Sequence, residues 1–434
     1  MATPAASGEK SLRRGTLGAV TRLQRFRGFL ARMNPTRDPS AALHGGLYVV
    51  PEEGSLGDHI QRNLALDPVA THLVLGGIGS GKTSEVLRAI NGLSTPLVEV
   101  GDYVDYVDVS QHTRLESSTQ SGVLLALAGR KLSRAFPKEI PKSKVFPALE
   151  TLRNFSDGYT LWVPDSDPPD EDDRPDHEPS GPEDTEPGEY VKVPGVLTPP
   201  ERPSLPYSLH APTGALRYLR NVWPGSEHFV ILAFDALDRL PQSEQFISLV
   251  RDDINALKQC NIGVIVVGPI RYIVGSDRGI GELFDHTHYK LAVDPAQPRG
   301  LQFLRRILRH RAGEGDLLPD ACLDPLAHAS GGVLRDLISL AKRAAEDAYT
   351  SGADQIGEEH VARAREALGR GLAVGLDDEQ ITALRKVHAT EGFVIRGPRE
   401  LSLLETRRVL MYAENRWVVH PALAPLLDLI PDSK

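Results

Sequence analysis

Two periods of apolar residues divide this chain. Short apolar runs at 71–75, 96–100, 106–110, 228–234, 261–267 and 288–293 alternate with stretches whose apolar positions recur at helical spacing, at 84–91, 119–136, 214–222 and 243–258. Runs of this kind read as strands buried on both faces of a parallel sheet, with helices on either side. The run at 106–110 is the expected neighbour of the strand at 71–75. From Gln297 onward the period is helical, predicting helices over 300–312, 319–329, 332–349 and 357–368. The last stretch predicts helices at 379–388 and 399–410 and a wing-like strand pair ending at 415–421. At the amino-terminal end Leu17, Val20, Leu23, Phe26, Leu30 and Met33 form one helical stripe.

Charge changes this picture in two places. The formal net charge is −9, but between Pro164 and Tyr190 there are twelve acidic residues and one arginine, a local net of −11, so the remainder sums to about +2. That proline-punctuated segment lacks an apolar face and is expected to be disordered, because it cannot bury enough surface to offset its ordering entropy. It lies within an insertion at about 136–212. Between Glu9 and Arg37, by contrast, eight basic residues face one acid. This basic amphipathic helix could dock on the rest of the chain or on a partner, or rest on nucleic acid or a membrane surface; an organellar transit peptide has the same bias. No apolar run reaches the roughly 20 residues that span a bilayer. Cys260 and Cys322 are far apart and make no metal-ligand spacing, which fits a reducing, cytoplasmic setting.

Directly after the run at 71–75 stands Gly76-Gly77-Ile78-Gly79-Ser80-Gly81-Lys82-Thr83-Ser84. It matches the phosphate-loop pattern G-x-x-x-x-G-K-[ST], with a strand before it and a helix after it. Glycines let backbone N–H groups close around phosphates, and the helix directs its positive end at the anion. Lys82 is the expected partner of the β- and γ-phosphates, and the Thr83 hydroxyl of Mg²⁺. The run at 228–234 ends in Asp235-Ala236-Leu237-Asp238-Arg239-Leu240. A carboxylate at the C-terminal end of a buried parallel strand lies where ligands bind in open α/β sheets, so Asp235 is the second expected Mg²⁺ residue.

These motifs resemble Walker A and Walker B of the AAA+ ATPases. Where many of those carry Asp-Glu, this chain has Asp235-Ala236, and Asp-Ala-Leu-Asp resembles the signal-transduction ATPases called STAND and the related KAP group. The resemblance implies that Asp238 either polarises water or braces Asp235 or Arg239. It implies a sensor residue after 261–267, where only Arg271 is on offer. It also implies an arginine finger before the last strand, for which Arg278 is best placed, and a phosphate-sensing arginine in Ser330-Gly331-Gly332-Val333-Leu334-Arg335, namely Arg335. His286 and His288 are read as structural.

The fold expected is α/β: a P-loop parallel sheet with helices on both faces, then a helical lid and a winged-helix domain. The divisions are 1–44 (basic amphipathic segment), 45–296 (core, with the insertion at 136–212 and its acidic part at 164–190), 297–373 (lid) and 374–434 (winged-helix-like). The function implied is an ATP- and Mg²⁺-dependent switch with slow hydrolysis and nucleotide-dependent assembly, partnered by copies of itself or by a protein effector. Families of this build include replication initiators, transposition regulators and antiviral ATPases. The alternative is an initiator or loader whose winged helix, through Arg396, Arg399, Arg407, Arg408 and Arg416, and basic amino-terminal helix hold duplex DNA while ATP controls assembly.

Overall fold

The computed structural model describes residues 21–35, 39–94, 102–113, 121–136, 140–164, 188–197, 208–223, 228–240, 243–274, 278–313, 315–413 and 416–429. The strands are β1 (Thr71–Gly76), β2 (Tyr103–Asp108), β3 (Gly158–Pro164), β4 (Gly188–Pro194), β5 (Val230–Asp235), β6 (Gly263–Pro269), β7 (His286–Lys290), β8 (Val409–Met411) and β9 (Trp417–Val419). Five of them build one parallel sheet in the order β2-β5-β6-β1-β7. Its two faces carry separate apolar layers. One holds Leu73, Leu75, Leu232, Phe234, Val264 and Val266 under helices Val123–Ala135 and Ser243–Gln259. The other holds Val74, Ile231, Ala233, Ile265 and Val267 under helices Leu56–Leu66 and Lys82–Leu93.

The sheet corrects one expectation. The strand anticipated at 106–110 begins at Tyr103 and lies at the sheet edge against β5, while β1 has β6 and β7 as neighbours. Burial explains the exchange: β5 and β6 are buried at every position and take the centre, whereas β2 carries Tyr103, Asp105 and Asp108 and is only partly covered. The run at 96–100 falls outside the described residues. Helix Val123–Ala135 has no capping side chain of its own. Instead the fully buried Asp253, from the neighbouring helix, accepts from the backbone N–H groups of Gly122 and Leu124.

Part of the insertion is ordered. Helix Lys142–Asp157 packs Val145, Ala148 and Leu152 into the first core layer, and Val196 and Leu197 return to it. Between them β3 and β4 pair as an antiparallel ribbon, which takes in Pro164 and Gly188–Tyr190 from the ends of the segment expected to be disordered. Residues 165–187 fall outside the described residues.

Helices Pro298–Ala312, Leu323–Ala329, Leu334–Thr350 and Glu358–Ala373 form the helical region beyond the sheet. Helix Arg22–Arg32 docks there, with Phe26, Phe29 and Met33 buried among Leu304, Leu308, Leu340 and Ala344. Its basic residues have a structural use. Arg22 donates to the carbonyls of Ala348, Tyr349 and Ala353 at the end of one helix, and Arg32 to those of Arg311 and Ala312 at the end of another. Cations placed there satisfy orphan carbonyls and complement the negative helix ends.

Helices Asp378–Thr390 and Pro398–Glu405 with the β8–β9 hairpin make the winged-helix unit. The helix expected over 399–410 stops at Glu405. Arg407 turns the chain with a left-handed backbone (φ 64°), and the fully buried triplet Val409–Met411 pairs as a strand instead. Among the described residues, no helix is long and apolar enough to cross a membrane.

His72 on β1 and His288 on β7 stack with ring centroids 5.2 Å apart and share a 2.9 Å Nδ1–Nε2 hydrogen bond, and His286 stacks on His72. Burial, together with the neighbouring imidazoles, lowers His72 to about 3 and His288 to about 4. Both are neutral in the folded state, so their stabilisation is present above the unfolded value near 6.5 and is lost as pH falls toward 4. Asp253, which burial pushes up to about 7, acts with the opposite sign between about 4 and 7, so a comparison of variants isolates the histidines. The doubly substituted His72→Phe/His288→Leu protein is expected to lose several degrees less in Tm between pH 7 and pH 5 than the wild type. Equal losses in calorimetry would refute the assignment.

Candidate nucleotide site

The phosphate loop joins β1 to helix Lys82–Leu93, and Gly79 and Gly81 adopt left-handed backbone angles of 79° and 99°. Space also excludes side chains there. A Cβ on Gly79 would lie 2.7 Å from Cβ of Arg335, and one on Gly81 would lie 3.1 Å from Cδ1 of Leu334. The helical region therefore rests directly on the loop, and the Arg335 N–H donates to the Gly79 carbonyl at 3.2 Å.

Beneath this contact lies a cavity of about 660 Å³. Its lining includes polar groups of the loop and its surroundings, among them Lys82, Thr83, Asp235, Asp238 and Arg335, and apolar side chains of Leu43, Leu47, Val49, Phe303, Ile307 and Ile338, with Tyr48. The shape and chemistry match a nucleotide, a polyanion joined to a flat ring system.

Lys82 is buried, and in this structure its ammonium turns inward. It donates to the carbonyls of Gly76 and Gly77 at 2.9 and 3.0 Å and pairs with Asp238 at 3.1 Å. Asp238 reaches it because Ala236, in an uncommon left-handed conformation (φ 70°), starts a 3₁₀ turn at Leu237–Arg239 that Leu237 and Leu240 anchor in the core. Asp238 therefore has Lys82 as a partner, which the sequence did not suggest; the Arg239 side chain falls outside what is described.

Asp235, 5% exposed, accepts from the Tyr106 hydroxyl at 2.9 Å and from the Ala236 N–H, and the Thr83 hydroxyl also bonds to it. Burial is the main force on its carboxyl and raises its pKa, with those donors pulling the other way. A hard, oxygen-seeking divalent cation suits this pair: Thr83 and Asp235 touch, and a bound cation would offset the cost of a buried carboxylate.

Arg335 lines the cavity, and among the described residues no salt bridge engages it. Gly76, Gly77, Ile78, Ser80 and Ser84 complete the loop and the first helical turn. Ile78 is 41% exposed and Ser80 is buried. Arg271 does not line the cavity; it pairs with Glu405 of the winged-helix unit at 2.6 Å. Arg278 opens the turn Arg278–Leu283, and its side chain falls outside what is described.

Sequence reasoning missed three contributors. Tyr106 is one. Lys290 is another: it lines the cavity from β7 and pairs at 2.6 Å with buried Glu85, which also accepts from the hydroxyl of Tyr48 at 3.1 Å. The third is the apolar wall at 43–49. The only available signal for it was the short run Leu47-Tyr48-Val49-Val50, and nothing in that run points to a ligand.

Four of the five arginines considered for DNA have partners, three of them in packing contacts of the winged-helix unit. Arg407 pairs with buried Asp336, Arg408 donates to the carbonyls of Leu372 and Val374, and Arg416 pairs with Asp294. Arg396 and Arg399 are exposed, and Arg399 pairs with Asp377 and Glu379 on the surface.

No protein-family model matches the sequence, and a search of curated proteins finds no match. Solved structures similar to the chain include a chain of Drosophila ORC bound to DNA, at 13% identity and TM-score 0.43, covering 99% of this chain and 97% of that one. Another is the Aeropyrum pernix ORC1 protein in complex with DNA, at 14% identity and TM-score 0.44, covering 91% and 97%. The Walker-type ATPase of Pyrococcus abyssi is similar at 16% identity and TM-score 0.43, covering 88% and 99%.

Asp238 holds the ammonium that a phosphate at this loop would need, so a bound phosphate would have to exchange with the Lys82–Asp238 pair. Asp238→Asn would leave a buried ammonium that phosphate then satisfies, so ADP should bind about fivefold more tightly, the equivalent of roughly 1 kcal/mol. A fluorescent-nucleotide titration measures this, and weaker binding would mean that Asp238 holds the nucleotide rather than competing with it.

Proposed function

We propose that this chain is an ATP-binding switch of the AAA+/STAND type, in which nucleotide bridges the core (45–296) and the lid (297–373). One observation carries the reading: Lys82, the Thr83–Asp235 pair and Arg335, which no salt bridge engages among the described residues, line one cavity together with a set of apolar side chains. The loop amides and Lys82 would hold the phosphates, Thr83 and Asp235 the Mg²⁺, and Leu43, Leu47, Tyr48, Phe303 and Ile307 the base. Bound Mg²⁺ supplies charge neutralisation of the phosphates.

Once phosphate draws Lys82 away, Asp238 is released as the residue to orient water. Ala236 offers no second carboxylate and Arg271 is held elsewhere, so hydrolysis should be slow. Assembly is part of the proposal, with Arg278 directed at the nucleotide of a neighbouring copy. Light scattering with Mg-ATP, Mg-ADP and no nucleotide tests it. ATP-dependent assembly should appear in the wild type, vanish in Lys82→Ala and persist in Asp238→Ala. A monomer under every condition would remove assembly and the Arg278 role together.

The DNA-holding alternative now rests on Arg396 and Arg399, since changes at Arg407 or Arg408 would disturb packing. Salt-dependent duplex affinity that falls about tenfold in Arg396→Ala/Arg399→Ala would support it, a loss in line with two phosphate contacts. Absence of binding at low salt would end it.

A further inference from the structure

Resting on the nucleotide site proposed above, we infer that Asp336, Arg407 and Tyr412 are positioning residues for Arg335, so that the winged-helix unit sets how the site reads the γ-phosphate.

Arg335 lies in a six-residue stretch, 331–336, that the winged-helix unit grips at both ends. At the first end the buried Tyr412 hydroxyl donates to the Gly331 carbonyl at 2.8 Å, and Leu410 packs so closely that a Cβ on Gly331 would lie 2.3 Å from its Cδ1. At the second, Asp336, 3% exposed, pairs with Arg407, and fully buried His420 stands 3.4 Å away. Burial disfavours the Asp336 carboxylate, yet these two groups hold its pKa below the usual carboxylate range.

Arg407 reaches Asp336 from its left-handed backbone, a conformation that a non-glycine residue keeps only when its surroundings enforce it. Between the two grips Val333 is buried against Leu410 and Tyr412, while Arg335 donates its N–H to Gly79 and lines the cavity. Displacement of the winged-helix unit therefore shifts Arg335 relative to the phosphate loop. By linkage, a nucleotide that binds Arg335 resists that displacement.

Fluorescent-nucleotide titration of the full chain tests this through the ratio of ATP to ADP affinity, which a general loss of packing would not change selectively. Arg407→Gln should weaken ATP about tenfold and ADP less than about twofold, as should Arg335→Ala, and the double variant should be no worse than either single one. Arg407→Lys should recover most of the ATP affinity. Tyr412→Phe, which keeps the ring, should weaken ATP in the same direction and serves if Arg407→Gln does not fold. Fully additive losses, or equal losses for ATP and ADP, would overturn the inference. Loss of all nucleotide binding in Lys82→Ala alongside an Arg335→Ala protein that still prefers ATP would likewise overturn it while leaving the nucleotide site intact. Undiminished nucleotide binding in Lys82→Ala would instead remove the proposed function beneath it.

Discussion

The contact between the start of helix Leu334–Thr350 and the glycines of the phosphate loop seats the helical region on the sheet and closes the cavity between them. It needs Gly79 and Gly81 to lack side chains and to turn left-handed, so that Arg335 and Leu334 can approach the loop backbone. One main-chain hydrogen bond from Arg335 to Gly79 then fixes the register. Because the same approach roofs the cavity, the geometry that would bind phosphate also sets the angle between sheet and helices. Dry packing makes such a contact sensitive: an added methyl group has nowhere to go without moving one layer.

Arginine chemistry does much of the fastening. Arg22 and Arg32 cap helix ends, Arg408 caps helix Glu358–Ala373, and Arg407, Arg416 and Arg271 pair with acids across the junctions of the winged-helix unit. A planar guanidinium with several donors can satisfy two or three carbonyls at once, which suits it to closing helix termini at a junction. Basicity that in sequence resembles a nucleic-acid footprint is thereby spent inside the molecule at these positions.

The lysines of the cavity are already paired. Lys82 has Asp238 and two loop carbonyls as partners, and Lys290 has Glu85, so these two cations of the cavity already have oxygen ligands, while among the described residues no salt bridge engages Arg335. Such preformed pairs lower the cost of holding buried charge and leave exchange, rather than creation, of ion pairs as the event that a bound phosphate would trigger.

The phosphate loop and the strand ending at Asp235 were legible in the sequence because their chemistry is local: fixed spacing, glycine where the backbone must turn, and apolar runs where both faces are covered. The helical region was legible for the same reason, through its period, and the N-terminal stripe in part: Phe26, Leu30 and Met33 pack inward, but Phe29 joins them, Leu23 is exposed, and Leu17 and Val20 fall outside the described residues. Sequence could not place β2 at the edge, since strand order depends on which runs compete best for the centre of the sheet. Nor could it assign Asp238 to Lys82, Arg407 to Asp336 or the wall at 43–49 to the cavity. Those pairings join residues far apart along the chain, and a charged or apolar side chain carries no mark of its partner until packing brings one within reach and excludes the water that would otherwise satisfy it.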